Sequence, residues 1–150
     1  MSALEIFHKM YENDPFSKWL GAELVFIGDG TCTLRMTVRA EMLNGFGVAH
    51  GGISFSLADS AFAFACNSRG RHTVSIHCTV EHVAPVFEDD VLTAEAREEN
   101  LGKSISNYAI TVTKQDGSAV AFFRGVAFRK QQIWEDNPHL PIDPTLGNKR

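Results

Sequence analysis

No stretch of this 150-residue chain approaches the ~20 consecutive apolar residues that a membrane span requires. Runs of Lys and Arg are missing as well. Its 14 basic and 18 acidic side chains leave a net charge of −4, whereas gripping nucleic-acid phosphates takes clustered cations. Neither a membrane nor a nucleic acid is therefore expected as a partner. Cysteine is scarce: Cys32, Cys66 and Cys78 are odd in number, widely spaced and without a C-x-x-C unit. The first ten residues, M-S-A-L-E-I-F-H-K-M, lack a basic region followed by a signal core. Reduced thiols in a cytoplasmic protein are the expectation. Cys66 and Cys78 stand in apolar runs, which keep a thiol inert, so a nucleophilic cysteine is disfavoured. The absence of G-x-S-x-G excludes an α/β-hydrolase in practice. What remains is an ordinary soluble composition, 44% hydrophobic and 21% charged, at a length suited to one domain with a sizeable core.

The pattern along the chain is helix, two strands, one long apolar helix, then a run of strands. Leu4, Phe7 and Tyr11 recur at helical spacing and predict a short amphipathic helix over residues 3–12, broken at Asp14-Pro15. Residues 20–28 and 31–40 read as strands joined across Gly28-Asp29-Gly30. In the second, Cys32, Leu34, Met36 and Val38 alternate with Thr33, Arg35, Thr37 and Arg39, so one face is polar. Residues 73–83 alternate again, with Val74, Ile76, Cys78 and Val80 set against Ser75, His77, Thr79 and Glu81. Three more strands are expected over 91–99, 104–114 and 119–130, the last two joined by the turn Gln115-Asp116-Gly117-Ser118. Strands grouped apart from helices indicate an α+β domain with a largely antiparallel sheet. It should occupy residues 1–130, leaving 131–150, with Pro138, Pro141 and Pro144, as a loosely held tail.

The stretch from Asn44 to Arg69 organises the rest. Its Gly-rich beginning, N-G-F-G-V-A-H-G-G, is a loop, and from Ile53 to Arg69 the sequence predicts a helix stopped by Gly70. Apolar residues cover nearly its whole circumference, so the sheet must curl around it. A narrow stripe of Ser56, Asp59, Ser60, Ala63 and Asn67 is the exception. Asp59 is the only charged residue between Gly45 and Ser68. An ionised carboxylate in such surroundings is costly unless paired or hydrogen-bonded. At the helix start, Gly51 and Gly52 leave first-turn N–H groups bare, where a partial positive charge gathers and a developing oxyanion is stabilised. Asp59 shares the face of Gly52 but lies about 10 Å further along the axis. One carbonyl cannot easily sit on those amides and touch this carboxylate in the same chain. A second, antiparallel copy brings the two together, which points to a site shared across a homodimer.

These residues, H-G-G-x(6)-A-D-x-A with an Asn six residues before the His, resemble the hotdog-fold acyl-CoA thioesterases of the phenylacetate-degradation (PaaI) type. The likeness extends over V-S-I-H-C-T-V-E-H-V-A-P-V (74–86), G-K-S-I-S-N-Y (102–108) and V-A-F-F-R-G-V-A-F-R (120–129), roughly residues 20–130 in all. It implies a curled antiparallel sheet wrapped around the long helix. It also implies a homodimer or tetramer with shared sites, and hydrolysis of acyl- or aryl-CoA to free acid and CoA. Coenzyme A is then part of the substrate and no separate cofactor is needed. The Gly51 N–H becomes the oxyanion donor, with Gly52 beside it against the substrate. Asp59 either activates water or attacks the carbonyl itself. Ser75 matches the position from which a hydroxyl holds the nucleophilic water in human-type members, although an ordinary strand serine serves equally.

Other candidates keep a structural reading beside the functional one. His50 is a base, a donor to the carbonyl or a lock on the loop; Asn44 holds a water or the thioester oxygen, or braces the loop. Phe46, Phe55 and Phe62 are candidates for the acyl pocket. Of the cations near the fold's turns, Arg69, Arg71, Lys103 and Arg124, Lys103 is the choice for CoA phosphate. His77 and Glu81 share one strand face while Cys78 and His82 share the other, so no tetrahedral metal site is expected. Two rivals remain: an enoyl-thioester hydratase of the same fold, and a non-catalytic acyl-CoA-binding or regulatory protein that would tolerate loss of Asp59.

Overall fold

The structure, a computed structural model, describes residues 1–136. Six strands form one antiparallel sheet: β1 (Glu23–Gly28), β2 (Thr31–Thr37), β3 (Arg71–His82), β4 (Val91–Leu101), β5 (Ile105–Thr113) and β6 (Ala119–Ile133), in the order β1-β2-β4-β5-β6-β3. Among the described residues three α-helices accompany them, α1 (Ala3–Glu12), α2 (Pro15–Leu20) and α3 (Gly51–Asn67), with a short 3-10 turn at Ala40–Met42. The sheet curls around α3 in the hotdog arrangement. Leu57, Ala58, Ala61, Phe62 and Ala65 of the helix are buried against inward side chains such as Leu34, Leu92, Ile110 and Phe123. Small side chains on α3 let the sheet come close. At Gly125 in β6 an added Cβ would lie 2.6 Å from the Phe62 ring, so only glycine fits opposite that phenylalanine.

The alternation expected in β2 holds: Cys32, Leu34 and Met36 are buried and the residues between them face outward. In β3 it does not. The register against β6 shifts between Ser75 and His77, so Ile76 bulges out of the ladder and the alternation reverses there. Ser75 consequently opposes Ala127, and Cys78 opposes Gly125, on the face that looks at α3. Ser75 is thus not on the outer polar face, and its Oγ lies 3.3 Å from Cys78 Sγ.

Asp14-Pro15 breaks α1 as expected but also begins α2. The Asp14 carboxylate accepts from the Ser17 N–H at 2.8 Å, and Pro15 fills the first turn, where a missing N–H costs nothing. Ser17 then meets Ser60 of α3 at 2.8 Å, Oγ to Oγ, which explains one polar residue of the helix stripe. On α1, Ile6 and Phe7 are buried while Leu4 is exposed, a rotation of the expected face.

The long helix ends at Asn67, short of Arg69. Asn67 turns inward: its Nδ2 donates to the carbonyls of Ala63 and Thr73, and its Oδ1 accepts from the Thr73 N–H and the Trp134 Nε1–H, all at 2.9–3.0 Å. Trp134 is buried and stacks on His72 at 4.2 Å between ring centres. This corrects the domain boundary expected at residue 130, because β6 continues to Ile133 and Trp134 belongs to the core. The remainder of the expected tail, 137–150, lies outside the described residues.

Candidate active site

The start of α3 is built by the loop before it. Leu43 and Ala49 bridge across the loop, the His50 N–H donates to the Met42 carbonyl at 2.8 Å, and the Ala49 N–H donates to the Val86 carbonyl at 2.7 Å. Asn44 braces the tip: its Oδ1 accepts from the Phe46 N–H at 2.9 Å, and its backbone bonds to Gly47 and Val48. Its Nδ2 is left without a partner among the described residues. Phe46 stands at that tip, 94% exposed.

His50 is the N-cap. Its Nδ1 accepts from the Gly52 N–H at 2.9 Å, which requires the bare nitrogen at Nδ1. The His50 carbonyl accepts from the Ile53 N–H, also at 2.9 Å. Gly51 is left as the first-turn residue whose N–H has no partner among the described residues. The helix dipole and a free donor thus coincide at one atom. Beside it opens a cavity of about 450 Å³ lined by Val48, Ala49, Gly51, Ser54, His82 and the 83–86 segment.

Asp59 lies two turns on, half-buried, with no hydrogen bond or ion pair among the described residues. Burial pushes its carboxyl above the ordinary value of 3.8. Gly52, Phe55, Ser56, Asp59 and Ala63 are all half-buried at spacings of three or four, so the helix presents one uncovered stripe with the carboxylate in its middle. Ser60 and Asn67, expected on that stripe, are buried inside.

Phe55 stays at the helix edge, 5.2 Å from Phe123 between ring centres. Phe62 is 1% exposed, enclosed by Tyr108 and Phe123, and is a core residue, not an acyl-pocket wall. Of the four candidate cations, Arg69 is engaged with Glu98, Arg71 with the carbonyls of Lys103, Arg129 and Lys130, and Arg124 with Glu99. The Lys103 ammonium has no partner among the described residues. Its turn packs near the C-terminal end of α3, so it does not join Gly51 within one chain; the 17-residue helix between them is about 25 Å long.

The thioesterase superfamily model matches residues 46–121, which contain Gly51, Asp59, Ser75 and His82. Acyl-coenzyme A thioesterase PaaI of Escherichia coli (strain K12) is 45% identical over 122 residues, covering 81% of this chain and 87% of that protein. The chain belongs to the thioesterase superfamily. Its fold matches the solved structure of the E. coli PaaI protein with a TM-score of 0.85 at 43% identity, covering 87% of this chain and 95% of the other. A mutant of the phenylacetic acid degradation protein PaaI from Thermus thermophilus matches with a TM-score of 0.75 at 37% identity, covering 78% and 100%.

Within this superfamily member, sequence reasoning passes over His82 and Ser54. His82 is weighed there only as a metal ligand. Its parity with Cys78 already puts it on the helix-facing side of β3, where it opposes the buried Ala121. No sequence signal places Ser54 in the cavity wall, since an all-round apolar helix does not reveal which side faces an opening.

Proposed function

We propose that this thioesterase-superfamily chain hydrolyses acyl-CoA thioesters to the free acid and CoA. The observation that carries the reading is the Gly51 N–H, the free donor at the start of a helix whose half-buried stripe holds Asp59, both without a partner among the described residues. The thioester oxygen rests on Gly51 of one subunit. The partner's Asp59 either takes a proton from the attacking water or adds to the carbonyl carbon itself. In the first case water oxygen bonds to carbon, the C–S bond breaks, and the sulfur leaves as CoA thiolate and is then protonated. In the second a mixed anhydride forms first and water cleaves it. A single turnover in ¹⁸O-water identifies a nucleophilic route in which water attacks the Asp59 carboxyl carbon of the anhydride, because the first product then carries an oxygen of Asp59 and the ¹⁸O stays on the enzyme, whereas direct attack of water puts ¹⁸O into the product.

The homodimer is part of the proposal. It is supported by the open edge of β3, where Ile76 is more than half exposed and whose last residue, His82, lies beside Gly51 of α3. An unpaired apolar edge is otherwise a liability that folds avoid. Ser75, on the helix-facing side of β3, is proposed to hold the attacking water, and Lys103 to meet a CoA phosphate from across the assembly. Asn44 Nδ2 is a further donor for water or thioester.

A thiol-trapping assay over a panel of acyl- and aryl-CoAs tests the reading. Release of free CoA is expected. Loss of enoyl absorbance without thiol would assign a hydratase, and tight acyl-CoA binding with neither would assign a non-catalytic binding protein.

A further inference from the structure

A carbonyl oxygen that gains charge is held best by more than one donor, yet the helix start offers a single one. The Gly52 N–H is committed to His50 Nδ1 and the Ile53 N–H to the His50 carbonyl, each at 2.9 Å. Asn44 is not among the residues lining the cavity, so a second donor supplied by the cavity wall itself is one of the lining groups. Apart from the backbone, the polar groups lining the cavity are Ser54 and His82. Ser54 sits three residues into the helix and is only 4% exposed. His82 stands at the end of β3 on the helix-facing side, and a Cβ added to Gly51 would lie 3.1 Å from His82 Nε2. The imidazole edge therefore flanks the residue whose N–H is free. Neither ring nitrogen has a partner among the described residues.

We propose that the His82 Nε2–H donates a second hydrogen bond to the thioester oxygen held by the Gly51 N–H, which makes His82 a catalytic residue of this chain. The inference rests on the hydrolytic reading above. As the nucleophile adds, the C=O π pair moves onto oxygen, and two donors meet it. When that pair re-forms the carbonyl, the C–S bond breaks and the electrons leave with sulfur. His82 exchanges no proton in these steps; the neutral imidazole with its proton on Nε2 suffices.

His82→Phe keeps the ring bulk and removes the donor, whereas His82→Gln keeps a donor of similar reach. The position is exposed at a strand end, so both variants should keep the wild-type circular dichroism and sedimentation. In the full-length assembly, kcat of His82→Phe should fall roughly 10²-fold, the loss typical of one oxyanion donor, with KM little changed and His82→Gln recovering at least about tenfold. The second readout is a ketone analogue of the acyl-CoA, with CH₂ in place of sulfur and ¹³C at the carbonyl. Its bound resonance should lie downfield in the wild type and His82→Gln, and shift back upfield in His82→Phe.

A kcat loss below about tenfold, a loss confined to KM, or an unmoved carbonyl resonance overturns the proposal. So does a Ser54→Ala variant that reproduces both effects while His82→Phe shows neither. Should the wild type bind the ketone yet release CoA from no substrate, the hydrolytic reading falls and the carbonyl resonance alone decides whether His82 touches the oxygen.

Discussion

Asp59 is the residue on which the proposed chemistry turns, and its burial makes it testable in two ways. A raised folded pKa means that the folded chain holds the Asp59 proton more tightly than the unfolded chain does. The stabilisation this gives is complete below the ordinary 3.8 and is lost as pH rises through the folded value. At neutral pH the ionised group is therefore a burden that Asp59→Asn removes. The variant should melt at or above the wild type at pH 7, with the difference shrinking as pH is lowered. Turnover should drop by at least about a hundredfold, the usual worth of a general base, while substrate affinity changes little. In the wild type, activity should rise with pH along a limb that begins above the normal carboxylate range. An Asn variant that melts far lower yet turns over normally would make Asp59 structural. At this scale the sequence is legible where a residue type is anomalous in its setting: a lone carboxylate on an apolar helix, glycines at a helix start. It is silent on how donors are shared. Only the structure shows His50 taking the Gly52 N–H, which leaves the Gly51 N–H as the candidate oxyanion donor at the helix start and makes His50 the N-cap.

Elements are legible where a period repeats without interruption, as in β2, α3 and the turn at Asp116-Gly117, where the Asp116 carboxylate accepts from the Ser118 N–H. They are not where a single residue resets the count. The bulge at Ile76 moves Ser75 to the helix side of β3, and nothing in V-S-I-H-C-T announces an unpaired residue. Asp14-Pro15 reads as a stop, although the same pair caps and opens α2. The end of β6 is lost to view because Gln131 and Gln132 conceal the strand that carries Trp134 inward. That strand end is fastened through Asn67 and His72, so Trp134→Ala should destabilise the fold by about 3–5 kcal/mol, as for other large-to-small core changes. Gly125→Ala acts by the opposite route: the new methyl meets Phe62 at 2.6 Å, and overpacking of this kind costs about 1–3 kcal/mol. Urea unfolding of both variants checks the values. A Trp134→Ala midpoint equal to wild type would return residues 131–136 to the status of a tail.

At the scale of the whole molecule, the proposed site needs two chains. The free Gly51 N–H and the unpaired Asp59 lie on one helix, eight residues and about two turns apart. Gly51 borders the cavity beside His82, and Asp59 is half-buried on the uncovered stripe of the same helix. In the proposed two-fold antiparallel pairing, each group's isolation would become a contact with the other, twice per dimer. Mixing two inactive variants tests this directly. Asp59→Ala keeps the amide and lacks the carboxylate. Gly51→Val keeps the carboxylate and fills the space in front of the amide, displacing the exposed His82 ring instead of breaking the core. After random exchange, half of the dimers are mixed and each carries one intact site, so about a quarter of wild-type activity should return. A site contained within one chain predicts no recovery, because every chain in the mixture is defective. If differently tagged chains are shown by native mass spectrometry to co-assemble, and the mixture still releases no CoA, the shared site is wrong and Asp59 must act, if at all, on a substrate bound wholly by its own subunit.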